Sequence, residues 1–256
     1  MFTVRYAAEL PGAIRTVLVT MAALQSENLL LSAILPEEYE RIQPLLETVP
    51  LRMRETLQEA GDVPDYVYFP TSGIVSLLTV LENGMMIEFA TVGREGTTGV
   101  PLTVGLVDSN MALISQLPGE AFRMTSTDFV AQVAACPSFA AVLNRYMGVL
   151  FAFLGQSAAC NRAHHVDERC ARWLLMTHDQ AGGDEFRITQ EFLAQMLGVS
   201  RPSVALAAAS LHKQGLISYH RGEMAIMDRA GLERAACECY AVVRRQFDRL
   251  REMRQY

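Results

Sequence analysis

The chain lacks any uncharged run longer than 16 residues; Phe129–Asn144 and Tyr146–Asn161, each of that length, are separated by Arg145 alone. Neither reaches the roughly 20 apolar residues of a membrane span, so no membrane partner is expected. Arg5, Glu9 and Arg15 stand among mixed residues and make a poor secretory signal. No Walker loop, Ser/His/Asp set or paired-carboxylate pattern is present, and the chain does not read as an enzyme. Cysteine is scarce and odd in number: five, at 136, 160, 170, 237 and 239, without a disulfide framework. That usage points to a reducing cytoplasm. No arginine or lysine lies between Glu95 and Phe122, so that stretch offers no cation to an anionic phosphate. Lysine is nearly absent, Lys213 standing alone among 22 basic residues.

What is present describes an ordered protein: 256 residues, 50% apolar and 20% charged, enough for a full core and two domains. The net charge of −6 is unevenly distributed. Residues 1–159 carry 8 basic and 16 acidic side chains, whereas residues 160–256 carry 14 and 12. Within Arg187–Arg221 four cations accompany one acid, with His212 and His220 besides. Phosphate binding depends on such a local field more than on net charge.

That basic stretch spells a winged helix-turn-helix. Thr189 is placed to cap a helix, with Glu191 in its first turn and Phe192, Leu193, Met196 and Leu197 at helical spacing. Gly198 supplies the left-handed residue of a sharp turn. Ser200 then caps a second helix, with Pro202 in its first turn and Val204, Ala207, Ala208 and Leu211 as its inner stripe, ended by Gly215. Leu216–Tyr219 and Met224–Met227, joined at Arg221-Gly222, read as a two-stranded wing.

Upstream, a short helical segment over Leu29–Leu46 leads into β punctuation. A turn at Gly61-Asp62 precedes a strand at Val67-Tyr68-Phe69, closed by Pro70. Ile74–Leu81 and Met85–Val92 meet at Asn83-Gly84, a strong hairpin signal. Met111–Leu117 and Ala121–Met124 flank Pro118-Gly119, and eight or so short strands imply a barrel or roll. One long helix is expected over Pro137–Ala163, apolar on two faces: one to rest on the roll, the other on a second copy. Phe139, Val142, Tyr146, Val149 and Phe153 are taken as the dimer stripe. Val166–His178 reads as a further helix and Ala230–Arg254 as a terminal one.

In this order of parts the chain resembles the Crp/Fnr family of bacterial transcription regulators, from about Asn28 to Asp228. The most specific portions are Val67-Tyr68-Phe69-Pro70, Val92-Gly93-Arg94-Glu95-Gly96 and the helix-turn-helix. The resemblance implies an α+β fold: an N-terminal antiparallel β-roll like a cyclic-nucleotide-binding domain, a long dimerisation helix and a C-terminal winged helix-turn-helix. The expected boundaries are an extension at 1–27 (with Met21 as an alternative start), a roll at 28–135, the dimer helix at 136–164, the DNA-binding domain at 165–229 and a C-terminal helix at 230–256. It further implies a regulator that binds a palindromic operator on double-stranded DNA as a homodimer. RNA polymerase and an unknown small-molecule effector are the other partners it allows.

Cyclic-nucleotide-binding relatives hold the phosphate with an arginine and the ribose with a glutamate, in the segment matching Gly99–Asn110. Here no cation is available, and Val100 stands at the glutamate position, before Pro101. Cyclic AMP is therefore not expected. Iron–sulfur relatives use cysteines mostly near the N-terminus, and none precedes Cys136; haem relatives need a histidine in the roll, and the first is His164. No cofactor is expected from these three. Cys237-Glu238-Cys239 suggests a metal or redox pair, but on a helix residues i and i+2 point about 200° apart, so no metal is expected. Cys160 and Cys170 flank the hinge beside His164-His165, where a thiol switch competes with plain burial.

For DNA, the outer face of the second helix should show Arg201, Pro202, Ala205, Leu206 and Ala209. Arg201, Pro202 and Leu206 are the expected base-reading positions, Arg201 being the one cation able to grip guanine. Relatives similar to the cyclic AMP receptor carry an acid where Pro202 stands and an arginine where Leu206 stands. Thr189, Gln190, Ser200, Ser203, Lys213, His220 and Arg221 are expected to position phosphates. Two other readings stay open: a small-molecule sensor with weakened DNA binding, and a cyclic-nucleotide regulator with an atypical pocket.

Overall fold

The structure, a computed structural model, describes residues 28–106 and 111–252; the expected extension at 1–27 and the alternative start at Met21 lie outside the described residues. A 3-10 turn at Leu31–Ala33 and helix α1 (Pro36–Ile42) replace the single helical segment read over Leu29–Leu46, because Pro36 and Pro44 each restart the chain. The roll follows as two antiparallel sheets. One has the order β1-β7-β3, from β1 (Glu47–Leu51), β3 (Tyr66–Pro70) and β7 (Gly119–Thr125). The other has the order β2-β6-β4-β5, from β2 (Thr56–Gln58), β4 (Ile74–Val80), β5 (Met86–Val92) and β6 (Met111–Leu117).

Strand β6 is buried along its whole length, and the two-residue period explains how. Met111 and Leu113 point into the roll, whereas Ala112 and Ile114 point out into a second core shared with the C-terminal domain, which Leu117 joins beyond the register shift opposite Ile74 and Val75. Strand β4 divides in the same way, Val75 and Leu77 inward and Ile74 and Leu78 outward. The second sheet is therefore a wall between two cores, not a surface. Between β5 and β6 lies a single turn, α2 (Val100–Thr103), and after β7 comes α3 (Ser126–Ala135), whose N-cap Thr125 accepts the Asp128 N–H.

The long helix α4 spans Pro137–Ala163 as expected. By length and composition it could cross a membrane, which the division into two runs at Arg145 did not reveal. Nine of its residues are buried in the chain's own core. Phe139 stacks with Phe69 and Phe129 at 6.3 and 5.7 Å between ring centres, and Phe153 meets Phe247 of the last helix edge-on at 5.9 Å. Phe139, Val142, Tyr146, Val149 and Phe153 are all enclosed this way within one chain. They cannot also form a seam with a second copy, so the dimer stripe read from the sequence is corrected.

Beyond α4 come α5 (Val166–Ala181), β8 (Glu185–Arg187), α6 (Gln190–Leu197), α7 (Arg201–Lys213), β9 (Ile217–His220) and β10 (Glu223–Ile226). The C-terminal segment is not one helix. It breaks at Ala236–Glu238 into α8 (Arg229–Ala235) and α9 (Cys239–Glu252), and α9 lies back along α4. Cys237 is thus outside any helix. The geometric objection to Cys237 and Cys239 sharing an ion assumed an unbroken helix, and it no longer applies.

The glycines of the Val92–Gly96 motif form a joint. A Cβ on Gly96 would lie 2.1 Å from the Tyr146 hydroxyl, so only glycine lets α4 approach. Glu95, buried, accepts the Gly93 N–H at 3.1 Å and the Gln180 side-chain N–H at 2.7 Å. The motif binds the roll to α4 and α5 together.

Candidate DNA-binding surface

Thr189 Oγ1 caps α6 by accepting the Phe192 N–H at 3.2 Å, and Gly198 ends the helix in the left-handed region at φ 62°. The chain then bends by 106° into α7, whose N-cap Ser200 accepts the Ser203 N–H at 3.4 Å. Val204, Ala207, Ala208 and Leu211 are buried, which turns the opposite face outward. On that face Arg201, Pro202 and Ala209 are exposed, and Leu206 is 74% exposed.

The wing has three strands in the order β8-β10-β9, of which the sequence suggested two. Arg221 at φ 49° and Gly222 at φ 87° make the two-residue turn, a type I′ geometry that matches the strand twist. The Ile188 N–H donates to the Gly222 carbonyl at 2.8 Å, which fixes the wing tip beside the start of α6. Thr189, Gln190 and Arg221 therefore meet at one corner, with His220 exposed at the strand end and Lys213 exposed at the end of α7. Ser200 and Ser203 share a hydroxyl contact of 2.9 Å at the other end of α7.

Arg54, from the turn between β1 and β2, was not anticipated. It donates to Thr189 Oγ1 and lies over the Phe192 ring at 5.4 Å from its centre. Thr189 is thus engaged by its own helix and by the roll. Arg54 sits 135 residues away in sequence, so no local pattern signals it.

The head is seated on the roll by polar contacts across the shared core. Trp173 donates its indole N–H to Glu88 at 2.8 Å, Ser76 donates to the same carboxylate at 2.6 Å, and Gln116 donates to Thr177 at 2.9 Å. Glu88 is half-buried as a residue, but its carboxylate is fully enclosed, and burial pushes its pKa up to about 7 against the pull of these donors and of Arg172. From α5, Arg169 donates to the Leu197 carbonyl at the end of α6.

Residues 168–235 match the family model of the Crp-like helix-turn-helix domain. The solved structure of FixK2 from Bradyrhizobium japonicum superposes with a TM-score of 0.63 at 16% identity, over 75% of this chain and 98% of that one. The chain carries a Crp-like helix-turn-helix domain within a fold shared with these solved structures. A regulator described as of the Crp/Fnr family, from Eubacterium rectale, is similar with a TM-score of 0.62 at 16% identity, over 80% of this chain and 96% of that one. CLP of Xanthomonas campestris, described as a c-di-GMP-responsive global regulator, gives 0.58 at 16% identity, over 74% and 98%. Among curated protein sequences none matches this chain.

Among its described residues, the segment that follows Gly99 in the roll is mostly apolar. Val100 and Leu102 are buried in the same core as Val67 and Phe129. A Cβ on Gly99 would lie 2.6 Å from Val67 and 2.8 Å from Phe129, so the backbone is pressed into the roll. Among the described residues of the segment none is cationic.

Proposed function

We propose that this regulator acts as a homodimer on a two-fold symmetric duplex, reading bases through Arg201. The observation that carries this is the outer face of α7: Arg201, Pro202, Leu206 and Ala209 stand exposed beyond a capped start, and Arg201 is the single cation among them. Arginine pairs bidentately with guanine O6 and N7, while Leu206 can touch a thymine methyl. Ser200, Ser203, Lys213, His220 and Arg221, with Gln190 and Thr189 at the first helix's N-terminus, hold phosphates on either side. Arg54 adds a cation at the Thr189 corner. The domain limits that go with this reading are a roll ending near 135, a dimer helix at 136–164, a head at 165–229 and a tail from 230.

The dimer contact belongs to the side of α4 that the chain leaves open. Gly148, Phe151, Ala152, Gly155 and Ala159 recur at three- and four-residue spacing and are exposed, Phe151 at 77%. A Cβ on Gly148 or Gly155 would meet nothing within 4 Å in this chain. Glycine inside a helix costs about 1 kcal/mol relative to alanine, so two unexplained ones support a close approach by another helix. RNA polymerase as a partner, and an effector other than a cyclic nucleotide, are compatible with this arrangement. Arg201→Ala should lower affinity for the operator by roughly 1–3 kcal/mol and relax one base position per half-site. Arg221→Ala should weaken all duplexes about equally and flatten the salt dependence. An Arg201→Ala protein with unchanged base preference would show that Arg201 is not the reader.

A further inference from the structure

The end of α4 and the break between α8 and α9 bring four ligand-type side chains together. Cys160 lies on the last turn of α4 and His164 caps it four residues later, so both point to one side of the helix. Cys237 lies in the break and Cys239 opens α9. One donor atom from each of the four falls within 4.8 Å of every other. The Cys160 and Cys237 sulfurs are 3.5 Å apart, and Cys239 Sγ is 3.6 Å from His164 Nδ1. All three cysteines are buried and the histidine is half-buried.

These separations can be compared with the edges of a tetrahedron. With Zn–S near 2.3 Å and Zn–N near 2.0–2.1 Å, neighbouring sulfurs stand about 3.8 Å apart and sulfur and nitrogen about 3.5 Å. The Cys160–Cys237 and Cys239–His164 distances agree to a few tenths of an ångström, with every other pair inside 4.8 Å, and donors this close suit one ion better than a cluster. The surroundings are those of a metal site as well. Gln156 donates an N–H to Cys239 Sγ at 2.9 Å. The Glu238 carboxylate lies 3.1 Å from His164 Nε2, which leaves Nδ1 as the nitrogen facing the sulfurs. A carboxylate behind a histidine is the usual arrangement around a ligating imidazole. Three thiolates on a divalent cation leave one negative charge, and the buried side chains of Arg169 and Arg172 act on these thiols. The Nε atoms of both arginines are buried without a hydrogen-bond partner among the described residues.

We propose that Cys160, His164, Cys237 and Cys239 form a mononuclear tetrahedral site for a thiophilic divalent cation, zinc being the representative. Such an ion would tie the tail to the junction between α4 and α5, the hinge through which the roll and dimer helix hold the reading head. It is a structural clamp, closed on four protein ligands, with no position left for substrate. The proposal is independent of which bases α7 reads.

The test uses the full chain, purified under reducing conditions without chelator. Elemental analysis should find one zinc per chain. Titration of the metal-free chain with Co(II) should give thiolate-to-cobalt charge-transfer bands and the visible bands of tetrahedral cobalt, saturating at one equivalent. Cys160→Ser and Cys237→Ser should each lose the bound zinc, and His164→Ala should shift the cobalt bands. Cys136→Ser and Cys170→Ser, at buried thiols outside the group, should keep the metal. Wild-type protein with all five thiols reduced that takes up neither zinc nor cobalt would overturn the site. So would undiminished uptake by a Cys160→Ser/Cys237→Ser double variant, or a Cys160–Cys237 disulfide formed in the presence of zinc.

Discussion

Glu88→Gln offers a direct probe of how the reading head is held on the roll. The carboxylate is enclosed between Ser76 of the roll and Trp173 of α5, with its pKa raised from 4.5 to about 7 by loss of water. In the unfolded chain the same group ionises near its ordinary value, so the folded state retains a proton that the unfolded state has lost. Stability from this group is therefore full below about pH 4.5 and falls as pH rises through about 7. At 1.36 kcal/mol per unit, the loss between pH 5 and pH 8 is on the order of 2–3 kcal/mol. Glutamine keeps an oxygen for the Trp173 N–H and an N–H for the Ser76 hydroxyl, but cannot titrate. The variant should consequently gain roughly 2–3 kcal/mol on the wild type between pH 5 and pH 8 in urea unfolding. Trp173 is the only tryptophan in the chain, so its fluorescence reports the contact itself. In the wild type it should titrate with a midpoint near 7, and in Glu88→Gln that transition should vanish. A stability difference between the two proteins that does not change with pH would refute the reasoning.

Two other expectations concern the long helix and the roll. Phe151→Glu, at an exposed site, should give a folded monomer with little operator affinity by light scattering, whereas Phe153→Ala should cost about 3–5 kcal/mol of stability because it empties a contact with Phe247. A dimeric Phe151→Glu protein would remove the outer face of α4 from the interface. Cyclic AMP and cyclic GMP should show no saturable binding by calorimetry at micromolar concentration; binding of either would mean that the apolar Val100–Leu102 segment opens.

Elements with strong local signals were readable from the residues. Asn83-Gly84, Arg221-Gly222, Gly198 and the capping pair Thr189 and Ser200 each fix a turn or helix start by backbone chemistry alone, and they are where the sequence placed them. Weak local signals were missed. Strand β1 is Glu-Thr-Val-Pro-Leu, half exposed and interrupted by proline, while β2 and β8 are three residues each. These exist because their partners β7, β6 and β10 lie beside them, a non-local cause. The same reason explains the misplaced dimer stripe. Apolar residues on two faces of α4 require two covering surfaces, but periodicity cannot say that the second one is α9 of the same chain. For the DNA surface, the exposure of Arg201 and Leu206 followed from the inner stripe by helical geometry. The Arg54 contact with Thr189, and the meeting of Cys160 with Cys237 across 77 residues, depend on the fold.

The central claim, a dimeric reader of symmetric DNA, is tested most directly by selecting bound duplexes from a random pool with the purified full chain. The account predicts enrichment of an inverted repeat whose half-sites are centred about one helical turn apart, roughly 10 base pairs, with a guanine in each half at the position lost in Arg201→Ala. Enrichment of a single unrepeated site, or recovery of a pool with no preferred sequence, would contradict it.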